Sequence, residues 1–419
     1  MDAGLTEKLS KLVYEKIYSD SFKNSARKKV TDFTRKRKMI FEEVILFMLT
    51  SLKCSTQSAL RRFFANIGKP VFMKQQSFSE SRTKINVSAF VELFKLTAAT
   101  MTEECSKKWH GYRIYAIDGT KIALPSDDAL RDYYGTLGRN SSAPTAQGSV
   151  LYDVLNDIII DARIEPLSVD ERSLAKDHID ACADIVSDVK RLVTLDRGYP
   201  SFELIEKFES NGFNYVCRVR QKFNKDIDAQ TNSDGYVWLE KDGKRIHIRV
   251  IKFKLESGET ETLITNITDK RLGRNAFKKL YFLRWPVETK YDIVKNKLQI
   301  ENFSSRTIEG IGQDFFAAMF LANIAAAAAI DAQTDIDNAR RNKENKYQYK
   351  ANINELIGVL KDRLVFALTE DNGDKRVMAV QNIIKEIKES VIPKRDMRSV
   401  PRNPSPRKSK FHHNQKVNC

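Results

Sequence analysis

At Tyr112 the hydrophobic period of the chain changes from helical to strand-like, and the order of elements that follows dictates a mixed α/β domain. Before that point apolar residues recur at helical spacing, as in Leu5, Leu9, Leu12, Val13 and Ile17, and again in an apolar helix from Met39 to Leu52. After it, Tyr112-Arg113-Ile114-Tyr115-Ala116-Ile117 is a β-rich run expected to stop at Asp118-Gly119-Thr120. Strands from Ser149 to Leu155 and Ile158 to Ile164 are joined tightly at Asn156-Asp157. A helix from about Leu174 to Val189 leads into a buried-type strand, Arg191 to Leu195, that ends at Asp196-Arg197-Gly198-Tyr199. Pro200 opens a helix to about Glu209, and Phe213 to Arg220 alternates again. Three strands, a helix, a strand, a helix and a strand make one α/β domain.

The chain stays β-like from about Asn224 to Thr268, with strands at Tyr236–Leu239, Ile246–Leu255 and Thr262–Ile267. Helices resume at Asn275, which favours an inserted β-subdomain over a continuation of the sheet. Long helices then run to about Leu360 and from Asp374 to Val391. From Pro393 onward eight basic residues and one acidic residue carry no apolar period, the pattern of a disordered basic tail. The expected segments are a helical, basic region (1–105), the α/β domain (106–335) interrupted at about 221–270, a helical region (336–392) and the tail (393–419).

No membrane role is expected. The first eight residues have no apolar core. The run from Phe315 to Ile330 is sixteen residues long and interrupted by Asn323, short of the ~20 needed to cross a bilayer, so it reads as a buried core helix. Five scattered cysteines without CxxC spacing form neither a disulfide framework nor a zinc site and fit a reducing cytoplasm.

Charge narrows the partner. Lys+Arg 71 minus Asp+Glu 55 leaves +16, which points to a polyanion, nucleic acid before an acidic membrane. Ala26-Arg27-Lys28-Lys29 and Arg35-Lys36-Arg37-Lys38 supply part of it, and the stretch from Ser55 to Phe64 reads either as the second member of a helix-turn-helix or as a solvated helical face. No GxGxxG, GxxxxGK[ST] or GxSxG occurs, which leaves carboxylates for any chemistry.

Asp118 and Asp196 each follow a buried-type strand and precede a Gly-containing turn, where an α/β sheet presents side chains to a ligand; a helix cap or turn aspartate is the structural alternative. Asp157 and Asp161 flank a strand and are weaker rivals. Further on, Tyr281, Arg284, Glu288 and Lys295 fall within about 60° of arc at ~100° per residue, while Leu283, Val287, Val294 and Leu298 face another way. Pro286 removes a backbone donor, so the helix is expected to begin or kink there. A stripe of mixed charge is ordinarily solvated surface; an acid flanked by two cations and a phenol is more. Three carboxylates from two strand ends and a helix suit paired Mg²⁺ ions, with Arg284 and Lys295 on the phosphate backbone.

The spacing Tyr281-x2-Arg284-x3-Glu288-x6-Lys295, with Ala116-Ile117-Asp118-Gly119-Thr120 and Thr194-Leu195-Asp196-Arg197-Gly198-Tyr199 in order before it, resembles the Y-R-E-K signature of the insertion sequence four family of DDE transposases. The resemblance covers roughly Tyr112 to Ile324. It implies a ribonuclease H-like core with a β-rich insertion, and Asp118, Asp196 and Glu288 as ligands of two Mg²⁺ ions, with Mn²⁺ as a substitute. It implies Tyr281, Arg284 and Lys295 on terminal DNA, double-stranded DNA partners (terminal inverted repeats and target), a homodimer on paired ends, and a hairpin intermediate followed by 3′-hydroxyl strand transfer. Trp238 is the candidate for the aromatic that holds a flipped base in such proteins, against the commoner role of a core tryptophan. A bacterial cytoplasmic, nucleoid-associated location follows from the same resemblance. The competing readings are a catalytically silent DNA-binding derivative and a plain metal-dependent DNA nuclease.

Overall fold

The computed structural model describes residues 4–35, 38–50, 55–70, 72–138, 143–183, 189–255, 258–284, 286–341 and 347–394. Lys36 and Arg37 of the second basic cluster, and the expected tail from residue 395, lie outside the described residues. By its internal contacts the chain divides into two compact units: residues 1–97, 297–305 and 309–419, and residues 98–296 with 306–308.

The helical unit opens with α1 (Leu5–Ile17), α2 (Asp20–Ala26), α3 (Phe41–Leu49), α4 (Thr56–Asn66), α5 (Gln75–Arg82) and the start of α6 (Val87–Glu104). The second unit is built on a sheet: β1 (Tyr112–Ala123), α7 (Asp128–Tyr134), β2 (Thr145–Asp153), β3 (Ile158–Pro166), α8 (Glu171–Ala183), β4 (Lys190–Leu195), α9 (Phe202–Ser210), β5 (Asn214–Arg218) and α10 (Lys225–Ala229). It continues through β6 (Asp234–Lys241), β7 (Lys244–Lys254), β8 (Thr260–Thr265), α11 (Arg274–Phe282), α12 (Pro286–Asp292) and a π-helical turn at Ile293–Lys297. The chain then returns to the helical unit with α13 (Ile308–Arg340), β9 (Tyr349–Ala351), α14 (Ile353–Thr369), α15 (Gly373–Glu389) and β10 (Val391–Pro393).

The eight strands order as β3-β2-β1-β4-β5-β8-β7-β6. β1, β2 and β3 are antiparallel neighbours, and β4 and β5 run parallel to β1. That five-stranded order is the ribonuclease H-like arrangement. The stretch expected to form an inserted β-subdomain adds no sheet of its own: β8 pairs antiparallel with β5, and β7 and β6 follow outward. The turns at Asp242-Gly243 and Gly258 make it a meander, and a meander begun beside a free β5 edge completes that edge instead of leaving its N–H and C=O groups open.

β1 also differs from expectation. It does not stop at Asp118 but runs to Ala123, because β2 remains hydrogen-bonded to it from Tyr115↔Asp153 to Ala123↔Thr145 after β4 has ended. β2 is buried along its whole length. Two of its polar members are engaged there: Ser149 meets His178 at 2.9 Å, and Asp153 pairs with Arg113.

In the helical unit the apolar run extends into a 33-residue helix, α13, longer than the run of sixteen suggested. By length and composition alone it could cross a membrane, yet 78% of its most apolar window is buried inside the protein. Asn323, the polar interruption, donates to Thr97 Oγ1 at 3.2 Å in that core. At the start of α13, the buried Arg82 reaches Gln313 Oε1 (2.9 Å), Ser304 Oγ (2.6 Å), the Gly310 carbonyl (3.0 Å) and Asp314 Oδ1 (3.0 Å). Breaking one member of such a buried pair leaves the other charge uncompensated, at a cost of about 3–5 kcal/mol. Arg82→Leu is therefore expected to lower the urea midpoint of the helical unit sharply, with Arg82→Lys intermediate because it cannot satisfy four acceptors at once; equal midpoints for all three proteins would contradict this.

Candidate active site at the end of the β1–β4 seam

The parallel register of β1 and β4 runs from Tyr112↔Lys190 to Ala116↔Thr194. One pleat further the register brings position 118 beside position 196. Side chains alternate faces with a period of two, so Asp118 shares a face with Ala116, and Asp196, continuing β4, shares it with Thr194. Neighbouring strands lie about 4.8 Å apart, so the register carries the two aspartates to neighbouring positions at the end of the pairing. The Arg197 N–H donates to Asp196 Oδ1 at 2.6 Å. Next to Asp118, Gly119 leaves room for two polar side chains: a Cβ there would lie 2.9 Å from Gln147 Nε2 and 3.0 Å from Glu171 Cδ.

The expected single helical stripe is instead three segments. α11 ends at Phe282, Pro286 is the first residue of α12, and Lys295 lies in the π-helical turn. The fixed φ of proline suits it to a first helical position and not to an interior one. The stripe is not a solvated surface either: Tyr281 and Arg284 are 7% and 6% exposed. α12 packs on the Asp118 face, where Lys290 Nζ lies 5.8 Å from the Tyr152 ring centroid and 2.9 Å from Asp157 Oδ1. This puts Glu288 over the seam, 2.9 Å from Arg284 Nη2. Lys295 Nζ donates to the Lys121 carbonyl at 2.5 Å.

The electrostatics join these residues into one cluster. Asp118 is pushed up to about 6, first by burial, with Arg284 opposing the rise and Glu288 adding to it. Burial works against the Arg284 charge, but Tyr281, Asp118, Glu288 and Asp196 together hold its pKa above the usual value. Burial raises Tyr281 to about 12. Arg284 is thus the cation that all three acids share. Arg284 Nε and the hydroxyls of Tyr281 and Tyr199 are buried without a hydrogen-bond partner.

Three residues of the cluster carry no signal in the spacing argument. Tyr199 is folded back by the Tyr199 N–H to Asp196 carbonyl bond of 3.1 Å, and its phenol, raised by burial, feels Glu171, Asp118 and Asp196. Glu171 enters from the first turn of α8. Tyr291, three residues past Glu288, donates its hydroxyl to the Asp118 carbonyl at 2.6 Å. Tyr199 closes the quoted Asp196 segment, which was the available clue to it; Glu171 is brought in only by the tertiary fold. The rivals Asp157 and Asp161 are engaged elsewhere. Asp157 takes the positive-φ position of the β2–β3 turn and accepts from Tyr152 and Lys290, while Asp161 pairs with His178 and Arg163. Trp238 does not join the acids. It lies on β6, four strands beyond β4 in the sheet order, roughly 19 Å at the usual strand spacing. It is 47% exposed, stacked 4.6 Å from His247 with Arg245 at 5.0 Å from its ring.

Among the described residues no three acidic, histidine or cysteine side chains are arranged to hold a metal ion as they stand. The donor set nevertheless fits a hard cation in its chemistry, because it is oxygen-only and its charge is already compensated by a single buried guanidinium.

The Asp118 shift has a stability consequence. Its pKa in the folded chain exceeds that of an unfolded aspartate, so the native state binds more protons between about pH 4 and pH 6 and loses stability as pH rises through that window. Asp118→Asn is expected to raise the melting temperature at pH 8 and to change it little near pH 4; a lower melting temperature at pH 8 would contradict the burial argument.

The chain is similar to known proteins as follows. The chain aligns with InsZ of Escherichia coli (strain K12), named as a transposase, at 24% identity over 148 residues, 34% of this chain and 48% of InsZ. It thus spans about half the length of that curated relative. The cryo-EM structure of the piggyBac transposase synaptic complex with hairpin DNA overlaps 94% of this chain and 86% of that one, at 12% identity and a TM-score of 0.49. The family model of the transposase DDE domain matches residues 109–324, which include β1, β4, α12 and every acid of the cluster, and the chain belongs to that family.

Proposed function

We propose that the protein is a DNA transposase that excises and inserts an insertion sequence. The observation that carries this is the convergence of Asp118, Asp196 and Glu288 on one buried guanidinium, beside donors that have no partner inside the protein. Two Mg²⁺ ions, or Mn²⁺ in their place, would be held by these three carboxylates and would supply activation of an attacking oxygen and charge compensation at a leaving oxygen.

The chain's own groups account for substrate binding. A phosphodiester oxygen presented to Arg284 competes with the Glu288 carboxylate for the same guanidinium and releases Glu288. The Tyr281 hydroxyl and Arg284 Nε, unpaired and desolvated, donate to that phosphate at little reorganisation cost. Lys295 adds a second cation at the rim. In the reaction, water attacks the strand at the element end and frees a 3′-hydroxyl. That hydroxyl attacks the opposite strand to close a hairpin, a second water opens it, and the 3′-hydroxyl then joins target DNA. Residues 1–105 bring further basic surface to the DNA, and paired ends call for a homodimer. The exposed Trp238–His247–Tyr236 stack would hold an unpaired base. Such work places the protein at the bacterial nucleoid.

Asp118→Asn, Asp196→Asn and Glu288→Gln are each expected to slow cleavage of the DNA ends that flank the gene by roughly a thousandfold or more, the several kcal/mol that metal assistance supplies, with binding of the same DNA within a few-fold of wild type. A triple variant that still cuts those ends would overturn the proposal. Cleavage without joined products from a pre-cut end would instead support a plain nuclease. Lys295→Ala is expected to weaken binding to all duplexes alike and to reduce the slope of log affinity against log salt by about one.

A further inference from the structure

The Asp118 carbonyl is a junction of elements that the reading above does not use. Asp118 faces Val150 across the β1–β2 ladder. The Tyr291 hydroxyl donates to the Asp118 carbonyl at 2.6 Å. A side chain from the segment that carries Glu288 is thus bonded to the main chain of β1 at Asp118 itself. A second hydroxyl, Ser149 Oγ, donates to the same carbonyl at 3.3 Å. Ser149 is backed by the fully buried His178, whose Nε2 lies 2.9 Å from Ser149 Oγ and whose Nδ1 lies 2.8 Å from Asp161 Oδ2. Arg163 Nε completes the chain at 2.9 Å from Asp161. Although it has the composition of a hydrolase triad, this chain is inaccessible to solvent and ends on a backbone carbonyl, so it holds a strand and attacks nothing.

We infer that Tyr291, assisted by Ser149 on its His178–Asp161 support, is a positioning residue that sets the separation of Asp118 from Glu288. The inference rests on the reading of those two acids as divalent-cation ligands. The physical argument is that α12 is short and follows a break in the helix, so its own backbone does not determine how far Glu288 stands from β1. A bond from the next helical turn to the main chain of the other acid does. Groups in this position, which orient ligands without touching the ion, typically change metal affinity or activity 10–100-fold when removed.

The test is Mn²⁺ binding to the full-length protein without DNA, read by electron paramagnetic resonance of free Mn²⁺, together with melting temperature and affinity for a random-sequence duplex. Tyr291→Phe is compared with Glu288→Gln and with Tyr215→Phe, which removes a buried hydroxyl paired only with Glu209. The expected result is Mn²⁺ affinity weakened about tenfold or more in Tyr291→Phe, with melting and duplex binding close to those of Tyr215→Phe. Ser149→Ala should show a smaller loss of the same kind, and it carries the test if Tyr291→Phe does not fold. Normal Mn²⁺ binding in Tyr291→Phe, or in Ser149→Ala where that variant stands in, alongside its loss in Glu288→Gln would overturn the positioning role alone. Normal Mn²⁺ binding in Glu288→Gln would overturn the assignment of the site on which the inference rests.

Discussion

Two parallel strands in register, with β4 ending opposite the middle of a longer β1, are the constraint on which this site depends. The register of β1 and β4, carried past its last rung, brings Asp118 and Asp196 to neighbouring positions. Burial, with Glu288 adding to it, leaves Asp118 easier to protonate, and Arg284, hydrogen-bonded to Glu288, opposes that rise. A protein selected only for stability would not gather three acids around one guanidinium and leave three other polar atoms unpaired.

The segment from 281 to 295 follows from the same constraint. A continuous helix would present Tyr281, Arg284, Glu288 and Lys295 on one stripe, all at similar depth. The break before Pro286 lets Tyr281 and Arg284 sink into the core while Glu288 stays half-buried over the strands. The π-helical turn after Asp292 then carries Lys295 to the backbone of β1 at Lys121. Single π-turns are costly and cluster at functional sites, and this one lies between the acid and the last cation of the motif.

Much of this was legible in the residues. Buried-type strands followed by Asp-Gly and Asp-Arg-Gly located both aspartates, and Pro286 announced the break. What the residues could not carry was anything that depends on a neighbour distant in sequence. β1 reads as ending at Asp118 because Asp118 and Gly119 are poor strand formers, yet pairing with β2 extends it to Ala123. The meander from β6 to β8 reads as separate because nothing local shows that β5 offers an open edge. Tyr291 looks like an ordinary helical tyrosine until the Asp118 carbonyl is placed opposite it. Trp238 shows the converse: its residue type suggested a site, and the sheet order sets it four strands away from the acids.

The central claim is that β1, β4 and α12 assemble a divalent-cation site now compensated by Arg284. A crystal structure of the full chain soaked in Mn²⁺, with anomalous data collected at the manganese edge, tests it most directly. The account expects an anomalous peak bounded by carboxylate oxygens of Asp118, Asp196 and Glu288, with the Arg284–Glu288 pair opened. A peak elsewhere, or none while Arg284 stays on Glu288 at saturating Mn²⁺, would contradict it.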